Sequence, residues 1–346
     1  MDRAKARLQK LCERGRLFLG TDVAIMGGAM SWISERHLVS AISNAGGFGV
    51  LACGSMPPDI LAAEIEATQK MTTKPFGVNL ITMHPQLADL IEICGRLKVG
   101  HVVLAGGLPT GASIARLKEL GLKVMCFAPT AMFARKLVRL GADALIIEGT
   151  EAGGHIGPVT TSVLAQEILP EMREVPVFVA GGIGRGDIIV SYLEQGASGV
   201  QLGTRFVCAT ECIAHPNFKQ AFIRANARDA MPSVQIDENF PVIPVRALPN
   251  KATRRFNVFQ QEIIERFRTG ELDQKAAQLE IEHYWVGALR RAVIDGDVDN
   301  GSLMAGQSVG MVTREQPTAD IIAELIAQAE EALAQRMAAF AETVCV

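Results

Sequence analysis

Short apolar, β-branched runs alternate along this chain with longer segments of helical period. Val23–Met26, Gly49–Ala52, Phe76–Leu80, His101–Ala105, Lys123–Phe127, Ala144–Ile147, Val177–Ala180 and Gly199–Leu202 read as strands buried on both faces. Between them, Glu35–Asn44, Pro58–Gln69, Gln86–Leu97, Ala112–Leu120, Ala131–Leu140, Ser162–Met172 and Asp187–Gln195 read as helices, several with a glycine at the C-terminal cap. Eight strands joined by helical crossovers predict an α/β fold, a (β/α)8 TIM barrel. The competing doubly wound sheet would carry GxGxxG after its first strand, where residues 27–30 read Gly-Gly-Ala-Met.

After Phe206 the rhythm changes. Helical stretches lie around Asn217–Arg228, Arg254–Thr269 and Ala276–Ala292, no strand series is evident over 212–303, and the proline-containing Met231–Pro249 reads as an extended loop. The expected organisation is a barrel over 1–208 and 306–346, with a helical insert over 209–305 covering the active site. The last helix, Ala319–Ala339, would return to the barrel.

Composition narrows the partners. A formal charge of −3 gives no footprint for nucleic acid. Cys12, Cys53, Cys94, Cys126, Cys208, Cys212 and Cys345 include no CxxC pair and read as reduced thiols of a cytoplasmic protein. No metal is expected: Cys208 and Cys212 have no histidine pair nearby, and Asp295–Gly301 lacks the downstream glutamate of an EF-hand loop. That acidic stretch reads as a turn returning the insert, with Met304 and Gln307 near the site. The basic Met1–Arg16 lacks a signal-peptide apolar block, and no run is long enough to span a membrane.

The chemistry gathers where barrel active sites form, at the C-terminal ends of strands. Gly27-Gly28 follows the first strand, Asn79 closes the third and Gly106-Gly107 follows the fourth. Residues 148–157, Glu-Gly-Thr-Glu-Ala-Gly-Gly-His-Ile-Gly, follow the sixth; Gly181-Gly182 and Gln201-Leu-Gly203-Thr204 mark the last two. The last two loops point to a phosphate-bearing ligand held by backbone N–H groups. Asn79 suits the polar edge of a heteroaromatic ring, or pins a neighbouring loop. Of six histidines, His155 alone sits among glycines at the barrel mouth, as a proton-exchanging group or a loop anchor. Glu148 suits a ligand's hydroxyl groups, and Glu151 an orienting role toward His155 or a helix N-terminus.

These motifs resemble the superfamily of nitronate monooxygenases and FabK-type enoyl-ACP reductases (enoyl-ACP reductase II). The resemblance runs from about Val23 to Val312 and rests on Ser43–Gly49, Lys74–Asn79, Glu148–His155, Ala180–Ile183, Gly203–Phe206, Ala214–Asn217 and Gly296–Gln307. It implies FMN across the barrel mouth, with His155 as the catalytic histidine. Asn79, Glu148, Gly153 and Gly154 would face the ring or ribityl chain; Gly181, Gly182, Gly203 and Thr204 would hold the phosphate. Gly27, Gly28 and Gln201 complete the expected cofactor set, and Met30, Gly107, Met304 and Gln307 the substrate side and lid. The insert is closest to the reductases, which use NAD(P)H and an acyl carrier protein thioester. Met26–Met30 and Gly107-Leu108-Pro109 depart from them, and the latter resembles the nitronate enzymes. Oxidation of an alkyl nitronate by FMN and O2, giving a carbonyl compound and nitrite, is therefore the first expectation. Enoyl-thioester reduction is the alternative, followed by an NAD(P)H:quinone or flavin reductase and then a non-enzymatic flavin-binding protein; a homodimer would suit each.

Overall fold

The parallel strands are β1 (Ile25–Gly27), β2 (Gly49–Ala52), β3 (Phe76–Ile81), β4 (His101–Ala105), β5 (Lys123–Phe127), β6 (Ala144–Glu148), β7 (Val177–Ala180) and β8 (Gly199–Leu202). The structure is a computed structural model and describes residues 2–54, 56–240 and 242–344. Each strand pairs with its successor from β2 to β8, and β8 pairs with β1. A bridge between Met26 and Phe48 closes the ring: the Phe48 N–H donates to Ile25 and the Gly27 N–H to Phe48, both at 2.9 Å. The expected barrel is the observed one.

Side chains alternate along a strand, so every second residue points into the barrel. Met26, Phe48, Val50, Val103, Met125, Ala144, Ile146, Phe178 and Ala180 form the inner core. Their neighbours, among them Ile25, Leu51, Val102, Val124, Leu145, Val179 and Val200, pack outward beneath the helices. This alternation puts Asn79, Glu148 and Gln201 on the inner side, at the end of the barrel where the strands finish.

The opposite end is plugged by the helix Glu13–Leu19, whose Leu19 is fully buried in the inner core. The Phe18 carbonyl accepts from His101 Nε2 at 2.9 Å and from Lys123 Nζ at 2.6 Å. Burial pushes His101 down to about 4, outweighing the Phe18 hydrogen bond, so the ring is neutral and structural.

The segment after β8 corrects one expectation. Helices Pro216–Arg224, Lys251–Arg268 and Gln274–Val293 are present, but 212–303 is not free of strands. Val245–Leu248 pairs antiparallel with Met231–Pro232, with Leu303–Met304 and with Gly154–His155 of the loop after β6. These strands are two to four residues long and draw their partners from distant sequence, so no local alternation announces them. Beside this sheet, Phe240, Val245, Phe256, Ile263, Ile264, Ala277, Ile281 and Trp285 make a separate small core. The final helix runs from Thr318 to Val344. Cys12, Cys53, Cys94, Cys126, Cys208 and Cys212 are buried free thiols, while Cys345 lies outside the described residues. No helix among the described residues is long and apolar enough to cross a membrane.

Candidate functional site

At the open end, three polar side chains stand on the inner core. Asn79 and Gln201 are 5% and 7% exposed. Asn79 does pin a neighbour, donating from Nδ2 to the Val103 carbonyl at 3.1 Å, and its strand runs one residue further than expected, to Ile81. Its Oδ1 and the whole Gln201 amide meet no protein hydrogen-bonding partner among the described residues. These amide atoms are not among the sealed polar atoms of the interior, so they reach the open mouth, where they can meet a ligand with donors and acceptors along one edge. Glu148 ends β6 beside them. Burial pushes its carboxyl up to about 7, while nearby His155 pulls it the other way.

His155 is exposed and lies on a strand edge. Its backbone pairs with Val245, that of Gly154 pairs with Arg246, and the Ile156 N–H donates to Pro244 at 2.9 Å. The loop after β6 is therefore a strand of the cap sheet, held in register rather than left as a free turn. Arg246 fixes it further, donating from Nε to the Thr150 carbonyl at 2.8 Å and from Nη1 to the Ala230 carbonyl. Sequence reasoning missed Arg246; its one signal was an arginine inside the apolar run Val245–Leu248.

Glu151 turns to a helix N-terminus, the second of its expected roles. Its Oε2 accepts from the backbone N–H and the hydroxyl of Thr161, both at 2.9 Å, capping Thr161–Ile168. Gly153 is packed: a Cβ there would lie 2.5 Å from the Gly306 nitrogen. Gly306 in turn donates to Thr204 Oγ1 at 2.9 Å, and the Gln307 N–H donates to the Glu151 carbonyl at 2.9 Å. Met304 lies against Gly154 from the strand Leu303–Met304. The return turn is built by Asp297, which accepts from the Asn300 backbone and side chain at 3.0 Å.

Across the mouth, Gly28 and Gly203 flank Gln201 and Met30, whereas Gly27 faces outward against Ile42. Gly181 and Gly182, at φ +96° and +71°, turn the chain after β7 through a region that side chains resist. Gly107 lies beside Thr82 and Met83 in the loop after β4. The sequence-selected residues thus share one end of the barrel, but Thr204, Gly153 and Gly27 are also engaged by the protein itself.

Residues 16–96 and 90–328 match the nitronate monooxygenase family profile. The chain belongs to the nitronate monooxygenase family. Family members include flavin-dependent oxidoreductases, and this chain is an enzyme of that kind. A (3aS,4S,5R,7aS)-5-hydroxy-7a-methyl-1-oxo-octahydro-1H-indene-4-carboxyl-CoA dehydrogenase of Mycobacterium tuberculosis is 33% identical over 256 residues, 73% of this chain and 67% of that protein. The structure of FabK from Thermotoga maritima superposes with a TM-score of 0.83 at 35% identity, covering 94% of this chain and 98% of that one. A nitroalkane oxidase from Streptomyces ansochromogenes gives a TM-score of 0.75 at 27% identity, over 90% of this chain and 97% of that one.

Proposed function

We propose that this enzyme binds FMN across the open end of the barrel and acts at a carbon next to an electron-withdrawing group, with an acyl thioester as substrate. The uncommitted amides beside Glu148 carry the reading, because they offer paired donors and acceptors where a flat heteroaromatic ring would lie. Gln201, Asn79 and Glu148 would meet the ring and ribityl chain, with Gly28 and Gly154 against its face; Gly27, turned outward onto Ile42, and Gly153, packed on Gly306, would contribute only through the backbone. Backbone N–H groups of Gly181, Gly182 and Gly203, with the Thr204 hydroxyl, would hold the phosphate. When bound, the flavin supplies the electron-accepting centre.

His155 would then take or return the proton at the carbon next to the thioester carbonyl. Glu148, kept partly protonated near neutral pH by burial, is placed to respond to its charge. The cap sheet holds the His155 backbone in register, and Met30, Gly107, Met304 and Gln307 would border the substrate. The carboxyl-CoA dehydrogenase and FabK support the thioester, carried by coenzyme A or acyl carrier protein, with NAD(P)H as co-substrate for a reductase. The nitronate reading stands second, supported by the Gly107-Leu108-Pro109 loop and the nitroalkane oxidase. A nitro group acidifies its neighbouring carbon as a thioester does, so a nitroalkane would give that proton to His155, whereas a nitronate, already deprotonated, would only be oriented by it.

The test is to mix flavin-loaded protein, without oxygen, with NADH, NADPH, an acyl-CoA or propyl-2-nitronate and follow flavin bleaching. Bleaching by NAD(P)H reversed by an enoyl thioester, or bleaching by acyl-CoA, is the expected result. Bleaching by the nitronate alone would move the assignment to the second reading. In the same assay His155→Ala keeps its flavin and loses about 10²–10⁴ in turnover; a folded variant that loses flavin instead would make the histidine a cofactor anchor.

A further inference from the structure

The loops after β7 and β8 lead into different helices, yet one element holds both. Arg205, next to Thr204, is 3% exposed and donates from Nη2 to Glu324 Oε2 at 3.0 Å. Glu324 lies on the final helix, Thr318–Val344. One turn further on, Gln328 donates from Nε2 to Glu324 Oε1 at 3.1 Å and accepts at Oε1 from the Gly186 N–H at 2.9 Å. Gly186 begins the helix Gly186–Glu194 that follows Gly181 and Gly182. A Cβ on it would lie 2.0 Å from the Leu325 carbonyl oxygen, so the two helices meet backbone to backbone. Gln316 adds a second donor to Glu324 Oε2 at 3.1 Å, and its own backbone bridges to Ala209 beyond β8.

The geometry is that of a clamp. A carboxylate joined to a buried guanidinium and two carboxamides fixes the start of the helix after β7 relative to the turn after β8. Flexible loops would have to be ordered on binding, whereas loops already held in place would not.

We propose that Glu324 and Gln328 are positioning residues: through Arg205 and the Gly186 amide they set the spacing of the β7 and β8 loops, and with it the affinity for the phosphate end of the flavin. This rests on the flavin reading above. Removing Glu324 alone would leave a buried charge unpaired, which weakens any protein for unrelated reasons. The pair Arg205→Met/Glu324→Gln avoids this by leaving net charge unchanged, and Gln328→Met removes the Gly186 acceptor from a half-buried position.

Dissociation constants for FMN and for riboflavin, which lacks the phosphate, are measured by flavin fluorescence on apoprotein whose fold is checked by thermal unfolding. In both variants FMN affinity falls about tenfold and riboflavin affinity stays within about twofold, the size expected when a few side chains must be ordered on binding. Equal loss of both flavins, or no loss of FMN, overturns the clamp while the flavin reading stands. A wild-type protein that does not prefer FMN to riboflavin overturns the phosphate reading and the clamp with it. Should the double variant fail to fold, Gln328→Met decides alone.

Discussion

The two ends of the barrel start from the same alternation and finish differently. At the closed end, the Phe18 carbonyl meets His101 and Lys123, and Leu19 fills the space between the strands. The chain supplies its own occupant there; of the His101 ring, Nδ1 has no partner among the described residues. At the open end Asn79, Glu148 and Gln201 stand at equivalent inward positions, and no element among the described residues enters to use the Gln201 amide or Asn79 Oδ1. Inward polar residues thus have two meanings in one barrel. Paired with the chain they are structural; uncommitted at a mouth they are open to a ligand.

The contrast breaks most readily at the plug. Leu19→Ala removes a fully buried side chain from the inner core and is expected to cost about 2–5 kcal/mol in urea unfolding. Flavin affinity should hold, because the amides belong to the other end. A parallel loss of flavin would show that the ends are coupled and that the plug shapes the site.

Titration sharpens the comparison, because both ends bury a neutral group but with opposite consequences. The unfolded chain protonates His101 near 6.5 and the folded one only near 4, so stability falls as pH drops through that window. Glu148 keeps its proton up to about 7 when folded but only to about 4.5 when unfolded, so its contribution is lost as pH rises between those values. In apoprotein, Glu148→Gln should match the wild type below the lower value and exceed it by about 2 kcal/mol above the upper one, allowing for solvent at the mouth. Urea unfolding across that range measures the gap; a gap independent of pH would mean that the carboxylate is not held neutral.

Much of this was legible in the chain. The barrel strands are four to six residues long except β1, carry their own apolar pattern, and are separated by helices with ordinary caps. Strand ends therefore pointed to the mouth, and Asn79, Glu148 and Gln201 could be selected there. The cap sheet was not legible. Its longest strand has four residues, its pairings join Gly154 to Arg246 and Ala247 to Met304, and prolines at 232, 244 and 249 argue against strands. The packing reason for Gly153 was hidden too, because Gly306 lies beside it only in the folded protein. Residues fixed by local period can be read from sequence; those fixed by a distant backbone need the fold.

Gln201 gives the smallest and most discriminating effect. A buried amide paired with protein would leave its partner unsatisfied when replaced by leucine, at about 1–3 kcal/mol. Among the described residues Gln201 has no such partner, so Gln201→Leu should change unfolding free energy by no more than about 0.5 kcal/mol. Flavin affinity should nevertheless drop about tenfold, because the ring's polar edge then faces hydrocarbon. Paired urea and flavin titrations separate the two quantities. Loss of stability with flavin affinity intact would make Gln201 a structural residue like His101, and the uncommitted amide would no longer mark a ligand.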